Sequence, residues 1–395
     1  MIKVDNLIDL KKKNLKCIID YQRFRGNCTK KQIANDLNLS FATVSNMMNY
    51  LMQIDLVRNA EYNSSKYVGR SPKYFNFNPK RFQILTFDLH DRQLISIYVI
   101  DLARNILFHD DYPIQMISNI DQYMGKFSES FNNFIHIHGI DMESVISAGV
   151  VTPGNVDEKQ DCIIGTENVI FQNKPIRKLI NQIIGKQVVV ENDANLAASF
   201  AAAVTQTKNL IYLYISNGLG LGTITNGNIL RGANGYSSEI AHVPLGRIHR
   251  KCPYCGNYDC IQTDTSRNGF LSKYYGKEFP LGKIYKKEWE SFIECIRSND
   301  PKAVEVSREN GSILGKTLAT AASILRPEKI VIGGIPVELF QIIVEIIENE
   351  INSREHYNPY IQVIHDNCCL DSMAKGAAEL LYSRWYPDID EFKVN

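Results

Sequence analysis

Apolar residues recur at helical spacing in the first part of the chain. Between residues 14 and 26, Leu15, Ile18 and Ile19 fall on one side of a predicted helix. Thr29, followed three residues later by Gln32, fits a capping box and predicts the start of a second, short helix. Ser40 is expected to cap a third helix. The apolar positions of that helix are Val44, Met47, Met48 and Leu51.

The opposite face of the third helix is short or polar. Besides the capping Ser40, it carries Ala42, Thr43, Asn46, Asn49 and Tyr50. Such side chains suit base edges and phosphates in a DNA major groove.

Two alternating runs follow the third helix, one from Val57 and one over 73–77, and they predict a β-hairpin. The loop between them carries Lys66 and Arg70, as in a β-wing beside a phosphate backbone. The pattern therefore predicts a winged helix-turn-helix DNA-binding domain over residues 1–78. A linker is expected at 79–81, because Pro79 interrupts further strand pairing.

From residue 82 onwards, predicted strands alternate with helices. Apolar runs predict strands at 84–89, 94–100, 145–151, 188–190, 210–215, 222–225 and 329–332, and a helix at 121–138. The economical α/β architecture is two lobes, at 82–196 and 197–395, with a cleft between them and a C-terminal helix that can return to the first lobe. Asp193 follows a strand end, which is where open α/β sheets bind small molecules.

Charge separates the two parts of the chain. Residues 1–80 hold fourteen Lys or Arg against six Asp or Glu, a net of +8, whereas the whole chain has +1 and the remainder therefore −7. A basic N-terminal part indicates contact with nucleic acid. A solvated lysine-rich face, or a three-helix module that binds protein, would have a similar composition. No apolar run is long enough to span a bilayer, so no membrane partner and a cytoplasmic location are expected.

One cluster has metal-ligand spacing, His242-x9-Cys252-x2-Cys255-x4-Cys260. Three thiols and one imidazole suit a structural, tetrahedral Zn²⁺ site. Nine cysteines without a secretory signal indicate a reducing compartment. Disulfides or plain buried thiols remain the alternatives. Zinc would also fix His242 three residues from Glu239, on the same face of a helical turn.

Several motifs together resemble one known family. They are 149–154 (Gly-Val-Val-Thr-Pro-Gly), 191–195 (Glu-Asn-Asp-Ala-Asn), the glycine-containing loop 216–222, 230–235, Glu239-x-x-His242 and the cysteine cluster. From about residue 14 to 385 the chain resembles the ROK family of repressors, open reading frames and sugar kinases, in its transcriptional-repressor branch of xylose and N-acetylglucosamine repressors. The resemblance implies a two-lobed actin-like (ribonuclease-H-like) domain after the winged helix.

The resemblance also implies site residues. Sugar hydroxyls would be bound by Asn192, Asp193, Glu239 and His242, with Asn168 a weaker match and Gln262 at the position of a family glutamate. The zinc ligands would be His242, Cys252, Cys255 and Cys260. A helix cap or a satisfied core polar group is the alternative for each sugar ligand.

The resemblance is compatible with two functions, a sugar kinase and a transcriptional regulator. In family kinases the residue at Asp193 is the general base. However, the family's first phosphate loop, Asp-x-Gly-Gly-Thr, is replaced by Asp88-Leu89-His90-Asp91-Arg92. Side chains in place of glycines block the approach to phosphate. We therefore expect no catalytic residue, with Asp193 a vestigial base.

The expected function is a repressor that responds to a sugar or sugar phosphate. Its partners would be an operator in double-stranded DNA and a second copy of the chain, as a homodimer or dimer of dimers. The alternatives are a sugar kinase carrying a DNA-binding domain, and a zinc-stabilised scaffold that binds neither ligand.

Overall fold

The computed structural model describes residues 7–60, 73–115, 117–157, 159, 161–166, 168–245, 250–353, 360–367 and 369–387. The fold is α/β, with a small N-terminal domain, here called the head (7–77), followed by two five-stranded sheets with their helices, here called the body. Within the described ranges, no helix combines the length and the apolarity needed to cross a membrane.

Three helices and a hairpin form the head. They are α1 (Leu7–Arg25), α2 (Lys30–Asp36), α3 (Phe41–Gln53), β1 (Val57–Ala60) and β2 (Tyr74–Phe77). The two strands pair antiparallel, from Val57 opposite Phe77 to Ala60 opposite Tyr74. The predicted winged arrangement of helices and strands is therefore confirmed.

Both predicted helix starts in the head are confirmed. Thr29 Oγ1 accepts a hydrogen bond from the Gln32 N–H at 3.2 Å, and Gln32 Oε1 accepts one from the Thr29 N–H at 2.8 Å. Ser40 Oγ accepts from the Thr43 N–H at 3.0 Å. Because these bonds satisfy donors that a helix start leaves open, local sequence fixes where α2 and α3 begin.

The apolar core of the head continues into the body. Ile18, Ile33 and Val44 are fully buried, and they share one cluster with Ile84 and Tyr382 of the body. Residues Pro79–Arg81 form a short 3₁₀ turn between the two parts. The head therefore rests on the body through packed side chains as well as through its chain connection.

The first sheet of the body is covered by helices α4 (Ile120–His138) and α5 (Ile176–Ile184). Its strands are β3 (Gln83–Asp88), β4 (Leu94–Asp101), β5 (Ile106–Pro113), β6 (Val145–Thr152) and β9 (Val188–Asn192). They are ordered β5-β4-β3-β6-β9, with β6 parallel to both neighbours. Strands β7 (Asn155–Asp157) and β8 (Cys162–Ile164) form a separate hairpin.

The prediction missed strand β5. It lies at the edge of the sheet, and its side chains alternate between half-buried and exposed from Phe108 onwards. The charged Asp110 and Asp111 interrupt the apolar run that marked the other strands. Charged side chains are a usual way to protect an edge strand from further pairing.

The second sheet is ordered β12-β11-β10-β13-β14. Its strands are β10 (Leu210–Ile215), β11 (Leu219–Thr225), β12 (Asn228–Ile229), β13 (Lys329–Gly333) and β14 (Gln362–His365). The remaining helices are α6 (Asp193–Thr205), α7 (Gln262–Thr265), α8 (Arg267–Tyr275), α9 (Lys286–Arg297), α10 (Pro301–Leu325), α11 (Val337–Asn352) and α12 (Cys369–Arg384).

The glycine-containing loop expected over 216–222 is shorter than predicted. Leu219 and Gly220 already pair with β10, so strand β11 begins inside the expected loop. A Cβ at Gly222 would overlap the carbonyl oxygen of Ala194 in α6. This glycine therefore allows α6 to pack closely on β11.

Helix α12 packs against α6, β3 and β6. A Cβ at Gly376 would overlap the carbonyl oxygen of Leu196 in α6, and a Cβ at Gly149 would lie 2.7 Å from Ala377 Cβ. The two glycines allow backbones to touch, so α12 has little freedom to move independently of α6 and β6.

Helix α12 also holds α1, through a group of charged and aromatic side chains here called the latch: Arg23, Arg104, Glu379 and Tyr382. Arg23 donates to both carboxylate oxygens of Glu379, at 3.2 and 2.8 Å, and Arg104 donates to Oε2 at 2.8 Å. The Arg23 guanidinium lies 3.8 Å from the centre of the Tyr382 ring. Burial opposes ionisation of Glu379, but the two arginines prevail and lower the pKa of its carboxyl group.

Replacing Glu379 by Gln should destabilise the folded protein by about 3–5 kcal/mol, because the Arg23 side chain, 4% exposed, loses its buried counter-charge. A carboxyl group whose pKa is lowered by folding stabilises above its unfolded pKa, about 4.3. That stabilisation disappears as the pH falls through the folded pKa.

Urea unfolding at pH 7 and at decreasing pH measures this effect. The difference between wild type and Glu379→Gln should shrink in acid. The matched control is Glu129→Gln, since Glu129 pairs with Lys126 on an exposed surface and should contribute at most about 1 kcal/mol. Equal stability of Glu379→Gln and wild type at pH 7 would contradict the latch.

Candidate metal centre and ligand pocket

Four side chains with metal-binding chemistry meet in one loop. The ligand atoms of His242, Cys252, Cys255 and Cys260 all lie within 4.8 Å of one another. Cys255 Sγ is 3.2 Å from Cys260 Sγ, and Cys252 Sγ is 3.8 Å from His242 Nδ1. Three thiols and one imidazole are a donor set typical of closed zinc sites. The spacing correctly predicted that these four residues form one cluster that could hold a metal ion.

Backbone hydrogen bonds fold the loop around this cluster. Pro244 and Cys260 form an antiparallel bridge, and the Gly256 N–H donates to the Cys252 carbonyl oxygen at 2.9 Å. Gly256 has a φ of +79°, which glycine adopts without steric cost. Cys252 and Cys260 are fully buried, whereas Cys255 is exposed. The donor set is therefore arranged by the fold of the loop, with Cys255 on its solvent side.

Gln262 lies against the cluster rather than in an open cavity. It is 3% exposed, and its Nε2 donates to Cys252 Sγ at 3.1 Å. An amide N–H stabilises a metal-bound thiolate, which an ionised glutamate could not do. The family resemblance had suggested Gln262 as a sugar ligand, and the structure places its amide nitrogen at the metal cluster.

Glu239 and His242 lie on one short turn, as the sequence indicated. Residues Ile240–His242 form a 3₁₀ helix, in which the His242 N–H donates to the Glu239 carbonyl oxygen at 3.3 Å. Residues three apart eclipse in a 3₁₀ helix, so both side chains project from the same side. Glu239 Oε1 accepts from Asn155 Nδ2 at 2.7 Å. The carboxylate therefore connects the turn that carries His242 to β7.

The residue before Glu239 has a left-handed backbone conformation. Ser238 has a φ of +64°, which costs a non-glycine residue about 1–2 kcal/mol. Its hydroxyl lies 2.9 Å from that of Thr223 on β11. A glycine would adopt this backbone conformation without steric cost. Ser238 is held in it by the hydrogen bond between the two hydroxyl groups.

The junction between β9 and α6 carries the next two predicted ligands. Asn192 caps α6, since its Oδ1 accepts from the Asn195 N–H at 3.2 Å, and its Nδ2 donates to the Gly154 carbonyl oxygen at 3.1 Å. Asp193 is the first residue of α6 and is half-buried. Its Oδ1 accepts from the Ala194 N–H at 2.7 Å. Asn192 thus has the structural role of a cap, which was the alternative for each ligand.

Glu191 organises the same junction, a role that its place in the 191–195 motif does not reveal. Its side chain is buried, and its carboxylate accepts from Arg231 Nε at 2.9 Å and from Asn195 Nδ2 at 3.0 Å. The pair joins β9 to the loop that follows β12. A glutamate directly before the Asn-Asp pair and an arginine in the 230–235 motif were the only signals, and neither reveals the pairing.

Asn168 forms part of a turn. It is 6% exposed, and its Oδ1 accepts from the Ile170 N–H at 3.3 Å. It lines a cavity of about 320 Å³ together with Tyr123 and Val169. The Asn168 side chain therefore stabilises its own turn by accepting from Ile170. This is the structural alternative to sugar binding at a position that matches the family pattern only weakly.

A larger cavity of about 800 Å³ lies between residues of both lobes. Its charged lining consists of Asp88, Asp91, Asp111, Glu290, Glu338 and Asp366 against Arg267 and Lys286, with His90, His109 and His365. Among these side chains, carboxylates outnumber the arginine and lysine groups.

The loop after β3 uses its backbone donors internally. The His90 N–H donates to Asp88 Oδ1 at 3.0 Å, and the Gln93 N–H donates to Asp91 Oδ1 at 2.8 Å. His90 Nδ1 lies 2.6 Å from the same Asp88 oxygen. Burial lowers the pKa of His90, but Asp88, Asp193 and Asp91 outweigh burial and raise the pKa to about 9. Two carboxylates thus hold backbone groups of the kind that bind phosphate in a glycine-rich loop.

The outward face of α3 agrees with the predicted DNA-contact residues except at one position. Ala42, Asn46 and Asn49 are exposed, and Thr43 is half-buried. Tyr50 is only 6% exposed and packs in the core of the head, so it is removed from the proposed contact face. Sequence spacing placed Tyr50 on the polar face and did not reveal that it packs into this core. Lys66 and Arg70 lie outside the described residues.

Relatives with known names cover most of the chain. A xylose repressor from Bacillus spizizenii is 25% identical over 349 residues, which are 87% of this chain and 88% of that protein. The DNA-binding transcriptional dual regulator NagC from Escherichia coli is 24% identical over 339 residues, 83% of this chain and 82% of that protein.

Solved structures share the fold. A ROK family transcriptional regulator, a homolog of the E. coli MLC protein, superimposes with a TM-score of 0.79 at 21% identity and covers 94% of this chain and 97% of that one. A ROK hexokinase from Thermus thermophilus gives a TM-score of 0.62 at 20% identity, with 77% and 99% covered. The ROK family itself matches residues 93–383. This chain therefore belongs to the ROK family.

Proposed function

We propose that this chain is a sugar-responsive transcriptional regulator that represses genes of carbohydrate catabolism or transport and does not phosphorylate its sugar. The observation that carries the proposal is the likeness, over most of the chain, to proteins named as a xylose repressor and a DNA-binding transcriptional dual regulator. The exposed short and polar side chains on α3 of the head support the proposal that DNA is one partner. In the proposed organisation, residues 1–78 bind DNA, 79–81 link, and 82–196 and 197–395 are the two lobes.

The effector site is proposed around Asp193, Glu239 and His242, with Asn192 fixing the start of α6. Carboxylate and imidazole groups can replace water around sugar hydroxyls. Gln262 would influence the effector site indirectly, through its hydrogen bond to Cys252. Asn168 would do so by stabilising its own turn. The effector class is a sugar or a sugar phosphate.

The ion proposed for the cysteine cluster is zinc, held by His242, Cys252, Cys255 and Cys260. When bound, it would supply a rigid tetrahedral link and no chemistry of its own. Because His242 Nδ1 faces the cysteines, Nε2 is the nitrogen available to a ligand or a hydrogen-bond partner. The metal would thereby orient the turn that carries Glu239.

Signal transfer is proposed to run along α6, α12 and α1. The effector would contact the start of α6, α12 packs directly on α6, and the latch joins α12 to the head. A sugar that binds one arrangement of the lobes more tightly shifts the population towards it. If that arrangement spaces two heads of a dimer wrongly for two half-sites, DNA affinity falls.

The loss of kinase activity rests on the loop after β3. The carboxylates of Asp88 and Asp91 accept hydrogen bonds from the backbone N–H groups of this loop. They also add negative charge where a phosphate would have to lie. The acidic lining of the interlobe cavity acts in the same direction.

Operator binding tests the proposal directly. Wild-type protein should shift a DNA fragment recovered from a genomic library, and a sugar from a panel should change that affinity. Asn46→Ala should weaken operator binding by about 1–3 kcal/mol while sugar binding stays unchanged. Asn133→Ala, an equally exposed asparagine on α4, is the matched control. Failure of every fragment to bind wild-type protein would refute the proposal.

Phosphoryl transfer should be absent. In a coupled ADP-release assay over hexoses, pentoses and amino sugars, wild type and Asp193→Asn should give the same background rate. Turnover in wild type that Asp193→Asn abolishes would instead support the alternative, a sugar kinase with a DNA-binding head.

Cys255→Ser should reduce bound zinc and lower the melting temperature, by roughly 2–4 °C for each kcal/mol of stability lost. The effector response should weaken too, since the turn bearing Glu239 and His242 loses its anchor. Metal analysis by mass spectrometry and thermal unfolding measure the two effects. Cys17→Ser, an exposed cysteine on α1, is the control and should retain zinc. Wild-type protein purified without zinc or another bound metal would contradict the assignment.

A further inference from the structure

Helix α3 exposes one large apolar side chain. Phe41, its first residue, is 57% exposed, whereas Val44 and Met48 on the same helix are fully buried. Burying a phenylalanine is worth roughly 1.5–3 kcal/mol, so folding of the head leaves most of that gain at Phe41 unused.

The first turn of α3 holds Phe41 in a defined position. The Ser40 cap accepts from the Thr43 N–H, and the two hydroxyl oxygens lie 2.8 Å apart. From α2, Lys30 Nζ donates to Asn49 Oδ1 at 2.7 Å and lies 3.2 Å from Ser45 Oγ. The exposed ring therefore lies on a helix that is stabilised at its start by the Ser40 cap and along its length by Lys30.

The surroundings of the ring indicate which chemistry it meets. The ring belongs to the first residue of α3, a helix on which Ala42, Asn46 and Asn49 are also exposed, and residues 1–80 carry a net charge of +8. The N-terminal residues of a recognition helix face base edges in the major groove. There, the C5 methyl of thymine is the apolar group that a phenylalanine can contact.

We infer that Phe41 is a specificity-determining residue that reads the methyl group of one thymine in each operator half-site. The inference rests on the proposed DNA-binding function and extends it to one base and one side chain. Asn46 and Asn49 supply hydrogen bonds to neighbouring base edges, and Phe41 selects thymine over cytosine by contact with the methyl group.

Replacing thymine by deoxyuridine removes that methyl and keeps base pairing. The operator is first selected from random duplexes with full-length wild-type protein, and each thymine of a half-site is then replaced singly. Fluorescence anisotropy at one fixed salt concentration gives each dissociation constant. For wild type, one position per half-site should weaken binding about fourfold, the equivalent of one buried methyl. For Phe41→Ala, the same replacement should have no effect.

Phe24→Ala is the matched control, since Phe24 is 55% exposed on α1 of the same head. It should keep the wild-type sensitivity to deoxyuridine. Phe41→Ala should melt at the wild-type temperature because its ring contributes little buried area. Phe41→Leu should retain part of the sensitivity.

Three results would overturn the inference. Replacement of thymine by deoxyuridine could weaken operator binding by wild type and by Phe41→Ala equally. Alternatively, no single replacement could change the dissociation constant of wild type. Phe41→Ala could instead change the oligomeric state in light scattering, which would make Phe41 a contact between copies of the chain. In each case operator binding by wild type would leave the proposed function standing. Failure to select any operator would overturn both.

Discussion

The close contact between α12 and α6 is the constraint on which the arrangement of head and body depends. Gly376 allows the backbone of α12 to touch the Leu196 carbonyl of α6, and any larger residue would separate the two helices. Leu196 lies one turn after Asp193, at the proposed effector site. Further along the same helix, Glu379 and Tyr382 hold α1 through Arg23. One helix thus contacts both α6, whose first residue is Asp193, and the head.

Under the proposed function, the body keeps one half of a kinase site and changes the other. The β9–α6 junction and the turn bearing Glu239 remain ordered, the first by Glu191 and Arg231 and the second by the cysteine cluster. After β3, Asp88 and Asp91 bind the backbone donors that a phosphate would need. In the proposed function the ligand binds without phosphoryl transfer, so its binding free energy is available to shift a conformational equilibrium.

Local signals in the sequence predicted much of this structure. The capping box at Thr29 and the spacing from His242 to Cys260 depend on residues close in sequence, and both are as expected. The Arg23–Glu379 pair could not be predicted, because 356 positions separate its partners. Edge strand β5 lacked an apolar run, and the burial of Tyr50 depends on how α3 packs against the rest of the head. The role of Gln262 likewise required the three-dimensional position of Cys252.

In the proposed mechanism, effector binding at the start of α6 reaches the head through α12. Hydrogen–deuterium exchange of the full-length protein, with and without a saturating sugar identified by thermal shift, measures this transfer. We expect the sugar to change amide exchange in α12 and α1 as well as around α6 and the Glu239 turn. Exchange that changes only around the pocket, with α1 and α12 unaffected, would contradict it.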